Sequence, residues 1–560
     1  MSPIGSRTVR ACLLLCLPGA LAPLGAQSGR AKTSPAITLA DLRSRLFLIA
    51  DDSMMGRETG SKGDYETADY VAAEFKRLGL TPSGENGGWF QAVPFWLASP
   101  IGRSLTISDG QTLRLGVDYV LPGITRPAPA GPLDVVYGGS ANDPAHWIDA
   151  AHATGKVVVL DLRPDTAGKR DAPPLTPILR APQFAAAAAV AVVRLDGLSA
   201  GAVANMSRYT PRPDTSRFAG VPALLTITSH AADLLLGAPV ASLQAGATGR
   251  TVQGEIATKW SPTPYPARNV IGVLPGRDPR LRGEYVSVTG HNDHVGICMS
   301  AVDHDSMRAF LRVLRPMGAD TRTWNETPEA DGQIRVILDS LRRLHPPRAD
   351  SICNGADDDG TGTVAILELA EAFASMPMAQ RPRRSLLFVS HVGEERGLVG
   401  SAWYTDHATV PVDSIVAEID EDMIGRGAAT DLPKGGPGYL EVVGARRLSN
   451  EFGDLLEAAN AAQPVPFVFN YEFDVPGHPL QYYCRADHYS YARYGIPSVA
   501  FSRGEHLDYH QVTDEAQYID YPDMLRVVHM VHDAVLKIAN LDHAPKLDKP
   551  RTDPHARCVQ

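Results

Sequence analysis

From residue 269 to residue 540 of this 560-residue chain, strand-length apolar runs alternate with helical stretches. Runs at 269–274, 285–289, 386–390, 415–419 and 498–501 are short and rich in Val, Ile, Leu and Phe, as strands covered on both faces require. Stretches 363–373 and 524–538 carry apolar residues at helical spacing, and two more helical patterns lie between residues 39 and 80. This alternation predicts an α/β fold: a mixed, mostly parallel sheet flanked by helices. Such sheets gather their reactive groups in the loops at the C-terminal strand ends.

Those loops carry the polar chemistry of the chain. After 285–289 comes Gly290-His291-Asn292-Asp293-His294, where a histidine followed by an aspartate suits a metal-bound imidazole oriented by a carboxylate. Before the helix at 363 stand Asp357, Asp358 and Asp359. Three adjacent carboxylates repel one another, and a helix N-terminus offsets only about half a charge. After 386–390 come Gly393-Glu394-Glu395, a pair in which one glutamate can bind a metal while its neighbour handles protons. Asp420, Glu421 and Asp422 end the next strand, and His506, Asp508 and His510 follow 498–501. Imidazole and carboxylate without thiolate suits zinc, as a pair of ions sharing one carboxylate.

A balance of 53 basic against 63 acidic side chains, net −10 with no long basic run, excludes nucleic acid as the main partner. At the N-terminus, Arg7 and Arg10 precede an apolar stretch at 11–21, too short to span a bilayer, and then Leu24-Gly25-Ala26. This predicts a signal peptide at 1–26, export to a periplasmic or extracellular space, and no stable membrane insertion. Of six cysteines, Cys12 and Cys16 would leave with the signal, and Cys298, Cys353, Cys484 and Cys558 remain.

Composition divides the rest. Residues 27–127 read as an N-terminal part of the main domain and 128–252 as a small α/β insert with strands near 157–160, 190–193 and 221–227 and a helix over 184–191. Residues 253–545 hold the site loops, and 546–560 form a tail. Within the main domain, 299–352 reads as a helical, lid-like insertion: Met307, Phe310, Leu311 and Leu314, then Ile334, Ile337, Leu338 and Leu341, fall at helix spacing. Cys298 and Cys353 flank it, so a bridge across its base is expected.

Taken together, Asn269 to Gly276, His291-Asn292-Asp293-His294, Gly355 to Asp359, Gly393-Glu394-Glu395, Asp422 to Gly425 and Asp508-Tyr509-His510 resemble the secreted di-zinc aminopeptidases of metallopeptidase family 28. The resemblance covers 39–80 and 269–540, and the insert resembles a protease-associated domain. It implies a zinc exopeptidase fold acting on peptide substrates with two zinc ions. His291 and Asp422 would hold one ion, Glu395 and His510 the other, and Asp358 would bridge them. Glu394 would be the general base, with Asp293 orienting His291 and Asp487 orienting His510. His294, His488 and His506 stand as residues that support the ligands or as structural residues.

Alternatives on the same fold are a carboxypeptidase or dipeptidase, with Arg396, Arg426 or Arg485 holding a carboxylate, and a one-zinc glutaminyl cyclase. An alternative of another class is a catalytically dead, receptor-like binding protein. Phe467, Phe469, Tyr471, Phe473, Tyr482 and Tyr483 read equally as a half-buried strand or as a pocket wall favouring large apolar N-terminal residues.

Overall fold

The computed structural model describes residues 33–560 apart from 122–124, 163–174, 197, 199–202, 205, 214–219, 322–325, 345 and 551–552. The expected signal peptide lies outside the described residues. The apolar runs of the C-terminal half assemble into a nine-stranded sheet. Its four central strands are Ser385–His391, Tyr285–His291, Ile415–Glu421 and Ser498–Ser502, side by side and parallel. Ala267–Leu274 flanks one side and Tyr439–Val443 the other, both antiparallel to their neighbours. The register of the first central pair runs from Tyr285↔Ser385 to His291↔His391, so both strands end level and open their loops at the same edge.

Each strand is buried along its length because helices cover both faces. Successive side chains of Ala267–Leu274 divide accordingly. Val270 and Leu274 enter the core beneath Leu39–Ile49, Lys62–Arg77, Gly362–Ser375 and Tyr521–Ala539, whereas Ile271 and Val273 join Tyr404 and Tyr491 on the opposite face. Gly272 makes the first of these contacts possible, since a Cβ there would lie 2.8 Å from the Phe75 ring. The helix Gly362–Ser375 is apolar nearly all round and buried from Gly362 to Phe373. Its two acids, Glu368 and Glu371, meet Arg45 at 2.6 Å each, and Glu74 meets Arg45 at 2.8 Å. One guanidinium thus ties three helices together.

A second sheet of eight strands is built from 104–253. Leu133–Ser140, Val157–Asp161, Ala189–Val193 and Ala223–Ile227 form its parallel centre. This sheet begins earlier than the expected 128, because Ser104–Ile107, Thr112–Arg114 and Tyr119–Val120 join its edges. Those strands are two to four residues long and separated by turns at Gly110 and Gly116, which gives the stretch a linker's composition. The helix expected over 184–191 is also absent. Pro182–Phe184 is a single 3-10 turn, and Ala189–Val193 is a buried strand whose small residues let neighbours approach.

The 299–352 segment rises from an antiparallel pair, Gly296–Asp303 with Ala349–Cys353, closed by a Cys298–Cys353 disulfide. Its helices are His304–Leu314 and Pro328–Arg342. Leu311 and Leu314 are buried, while Ile334, Ile337, Leu338 and Leu341 form only a half-buried face. A second disulfide, Cys484–Cys558, anchors the tail. No helix of the described residues is long and apolar enough to cross a membrane.

Candidate active site

The three adjacent carboxylates divide their work. Asp357 accepts the Gly425 N–H at 2.6 Å and faces His506 Nε2 at 3.2 Å. Asp359 accepts the N–H groups of His291 at 3.0 Å, Gly362 at 2.8 Å and Met423 at 3.2 Å. Both therefore stitch neighbouring strand-end loops together through backbone donors. Asp358 alone points into the open centre, where its Oδ1 lies 3.4 Å from His291 Nε2 and its Oδ2 3.0 Å from His510 Nε2. The backbone crosses closely here: a Cβ on Gly362 would lie 1.8 Å from the Glu421 carbonyl oxygen.

Around Asp358 stand two groups of donor atoms, each spanning no more than 4.8 Å. One comprises His291, Asp358 and Asp422; the other His294, Asp358, Glu395 and His510. Asp422 Oδ1 is 3.7 Å from His291 Nε2, and Glu395 Oε1 is 3.1 Å from His510 Nε2. Asp358 belongs to both. The facing atoms His291 Nε2, Asp358 Oδ2, Glu395 Oε1, Asp422 Oδ1 and His510 Nε2 are buried without a hydrogen-bond partner. Buried polar atoms rarely stay unsatisfied, and five carboxylate and imidazole atoms aimed at one space fit a cation. The nitrogen and oxygen donors, with no thiolate among them, fit zinc.

His291 Nδ1 donates to the Asp293 carbonyl oxygen at 3.0 Å, which leaves Nε2 free to face the centre. The Asp293 carboxylate is farther away, at 3.7 Å, and is occupied elsewhere. Its Oδ1 accepts the N–H groups of Gly393 at 2.7 Å and Glu394 at 3.2 Å, and its Oδ2 accepts the Thr59 hydroxyl at 2.6 Å. Asp293 thus orients the imidazole through its backbone and the glutamate turn through its side chain. Glu394 sits in that turn with Oε2 3.8 Å from His291 Nε2. Burial pushes its carboxyl well above the usual range, and Asp422 and Glu395 push the same way.

Other expected placements change. His294, read as a residue that supports the ligands or as structural, brings Nδ1 to 2.8 Å from Glu395 and 3.6 Å from Asp358, inside one of the donor groups. Its only sequence signal was its nearness to His291. Asp487 does not reach His510; it lies beside Ser401 in the field of His291 and Asp422, and burial lifts its carboxyl to about 7. Arg396 is bound to Glu58, and Arg426 to Asp431 and Asp508, so neither is available for a substrate carboxylate. Arg485 lines the cleft but is paired with Glu505. Of the aromatic segment, Tyr482 alone borders the cleft beside the donor groups; Phe467, Phe469 and Tyr471 pack on the main core and Tyr483 on a smaller one.

Two supports carried no sequence signal. Arg57, fully buried, donates to the carbonyl oxygens of Ile49, Asn292, Asn354 and Gly355, pinning the His291 and Asp358 loops to one another. Asp514 accepts the N–H groups of Asp357 at 3.1 Å and Asp358 at 3.2 Å.

The sequence profile of Peptidase family M28 matches residues 269–535. Leucine aminopeptidase 1 of Paracoccidioides brasiliensis is 31% identical over 192 residues, covering 33% of this chain and 46% of that protein. Leucine aminopeptidase 1 of Blastomyces gilchristii is 31% identical over 201 residues, 34% of this chain and 48% of that protein. The chain thus spans about half the length of these curated relatives. Among solved structures, the zinc aminopeptidase BSAP of Bacillus subtilis superposes with a TM-score of 0.50 at 15% identity, covering 90% of this chain and 96% of that one, which shows a shared fold. The five strand-end loops of the site all lie inside the segment, residues 269–535, that is similar to peptidase family M28.

Proposed function

We propose that this chain is an exported zinc aminopeptidase that removes N-terminal residues from peptides and holds two zinc ions. The observation that carries the reading is Asp358, shared between two groups of buried, unpartnered donors with Glu394 beside them. His291 and Asp422 would hold one ion, Glu395 and His510 the other, with Asp358 between. His294 either completes the second set or orients Glu395 through its Nδ1 contact. When bound, zinc supplies Lewis acidity toward the scissile carbonyl and the attacking water.

The chain's own groups do the rest. Glu394 takes the proton of the attacking water and returns it to the leaving amine, so one carboxyl serves as base and then acid. Asp293 fixes where Glu394 stands by holding the N–H groups of its turn. The His291 Nδ1–H bond to the Asp293 carbonyl keeps the second ring nitrogen a lone-pair donor. We read 104–253 as a protease-associated-like insert, and the two disulfides support an oxidising destination.

Hydrolysis of aminoacyl-p-nitroanilides by the purified protein tests the reading. Turnover that is lost on chelation and restored by zinc is expected, with about two zinc ions per chain by elemental analysis. Zinc-independent turnover, or no turnover with both sites loaded, overturns it.

A further inference from the structure

Away from Asp358, the described residues bring one more set of metal-binding side chains together, with donor atoms within 4.8 Å of one another: His304, Asp350 and Glu515. Three segments supply them. His304 opens the first helix of the 299–352 segment, Asp350 lies in its returning strand, and Glu515 belongs to the loop that follows His510. The antiparallel pair Asp303↔Ala349 and the His304 N–H, which donates to the Arg348 carbonyl at 2.8 Å, set His304 beside the strand that carries Asp350. The Tyr518 ring stacks on the imidazole at 6.0 Å between centroids and fixes its plane.

All three side chains lie in the interior, His304 at 3% exposed, Glu515 at 4% and Asp350 at 7%. His304 Nε2 and Asp350 Oδ2 are buried without a hydrogen-bond partner. Asp350 Oδ1 accepts the Ile352 N–H at 3.0 Å and Glu515 Oε2 accepts the Gln517 amide, which leaves Oδ2 and Oε1 to an ion. His304 Nε2 stands 3.3 Å from Glu515 Oε1. Nitrogen and oxygen donors about 2.0–2.2 Å from a tetrahedral zinc are about 3.3–3.6 Å apart, so this spacing fits a shared ion. One cation already touches the set: Arg348 Nη2 contacts Glu515 Oε1 and lies 3.2 Å from Asp350 Oδ2. Its side chain is 47% exposed and reaches in from solvent, and it leaves the imidazole nitrogen without a partner.

We propose that His304, Asp350 and Glu515 form a further zinc site, structural in role, that pins the 299–352 segment to the loop following His510. The inference is independent of the aminopeptidase reading, since none of the three belongs to the donor groups around Asp358. An imidazole with two carboxylates suits zinc, whereas calcium takes oxygen donors alone. Structural zinc usually takes four protein donors. With three here, and with Arg348 to be displaced, the ion binds more weakly than the main pair and fills after it. Asp514, the neighbour of Glu515, accepts the N–H groups of Asp357 and Asp358, so the clamp acts next to the turn that presents Asp358.

The test is a zinc titration of the metal-stripped full chain at buffered free zinc, with bound metal read by elemental analysis. Wild type, His304→Gln, Asp350→Asn and Arg348→Ala are compared. The wild type is expected to take up one zinc per chain more than His304→Gln or Asp350→Asn, in a last, weaker phase. In Arg348→Ala the competing guanidinium is gone, and that phase is expected at lower free zinc. Equal uptake by the wild type and a folded His304→Gln or Asp350→Asn overturns the inference. Should neither of these fold, Arg348→Ala decides: a last phase at unchanged or higher free zinc means an ion-pair cluster held by Arg348 alone, and the inference fails. Only metal uptake is read, so the outcome stands apart from turnover and from the aminopeptidase reading.

Discussion

The carboxylate of Asp293 accepts the Gly393 N–H at 2.7 Å, so the loop that presents His291 also holds the turn that presents Glu394. A negative charge is the better acceptor for the two N–H groups it receives, and Thr59 supplies a further donor. Asp293→Asn keeps the size but removes the charge and replaces one of the two acceptor oxygens by a donor, at the N–H groups or at Thr59. Turnover should fall about 10–100-fold, as for other groups that orient metal ligands. Zinc content should drop less than activity. Full activity in the variant would show that the Glu394 turn holds itself.

The adjacent glutamates should separate under the same substitution. Glu394 faces the open centre beside His291, and Glu394→Gln removes a proton acceptor. Both zinc ions should stay while turnover falls roughly 10²–10⁴-fold. Glu395 contacts His294 and His510, so Glu395→Gln replaces an anionic donor by a neutral one. Zinc occupancy should then drop together with activity. Elemental analysis of both variants decides, and the opposite pattern would exchange the two roles.

What the sequence made legible follows from how far apart the interacting groups lie along the chain. Each strand-end loop carries its chemistry within a few residues, so His291, Asp358, Glu395, Asp422 and His510 stand out as local patterns, and the structure brings them together. Arg57 and Asp514 do not stand out, because their acceptors and donors lie up to 298 positions away and are mostly backbone atoms with no residue signature. The aromatic alternation at 467–473 has the same form whether a ring packs on a core or a cleft. Only the tertiary neighbours of Phe467 and Tyr482 separate the two. The start of the second sheet was hidden by edge strands too short to show a period.

Stability should respond to pH through Glu368. Burial lifts its carboxyl to about 7 although Arg45 opposes the shift, and Asp41 and Glu371 add to it. Arg45 and Arg77 between them meet Glu74, Glu368 and Glu371, which leaves one carboxylate more than the two guanidinia offset. A carboxyl whose pKa is higher folded than unfolded binds more protons in the native state. It therefore contributes stability at low pH that is lost as pH rises from about 4.5 to about 7. Urea unfolding of wild type and Glu368→Gln across this window should show a flatter slope in the variant. Parallel pH profiles would mean that Glu368 stays ionised throughout.

Each disulfide should stabilise the fold by constraining the unfolded chain. The bridges close loops of 55 and 74 residues, worth about 4 kcal/mol each in a chain-entropy account. Cys298→Ser with Cys353→Ser should loosen the helical insertion, and Cys484→Ser with Cys558→Ser should free the tail. Denaturant midpoints for the two double variants check this, and unchanged midpoints in both would show that packing alone holds these segments.

Arg57 should be the most sensitive position that touches none of the metal-facing atoms. Its guanidinium donates to four backbone carbonyls, two of them in the turn that presents Asp358 and one in the loop that presents His291. Arg57→Met keeps the apolar stem but takes this donor from the Ile49, Asn292 and Asn354 carbonyls, while the Gly355 oxygen keeps the Gly360 N–H, at about 1–3 kcal/mol for each left buried where water cannot reach. Arg57→Lys retains the charge but not the fork, so it should recover only part of the loss. Denaturant unfolding should rank wild type above Arg57→Lys above Arg57→Met, with zinc content falling in the same order. Equal stability of the lysine variant and the wild type would mean that charge, not the geometry of the fork, joins the two loops.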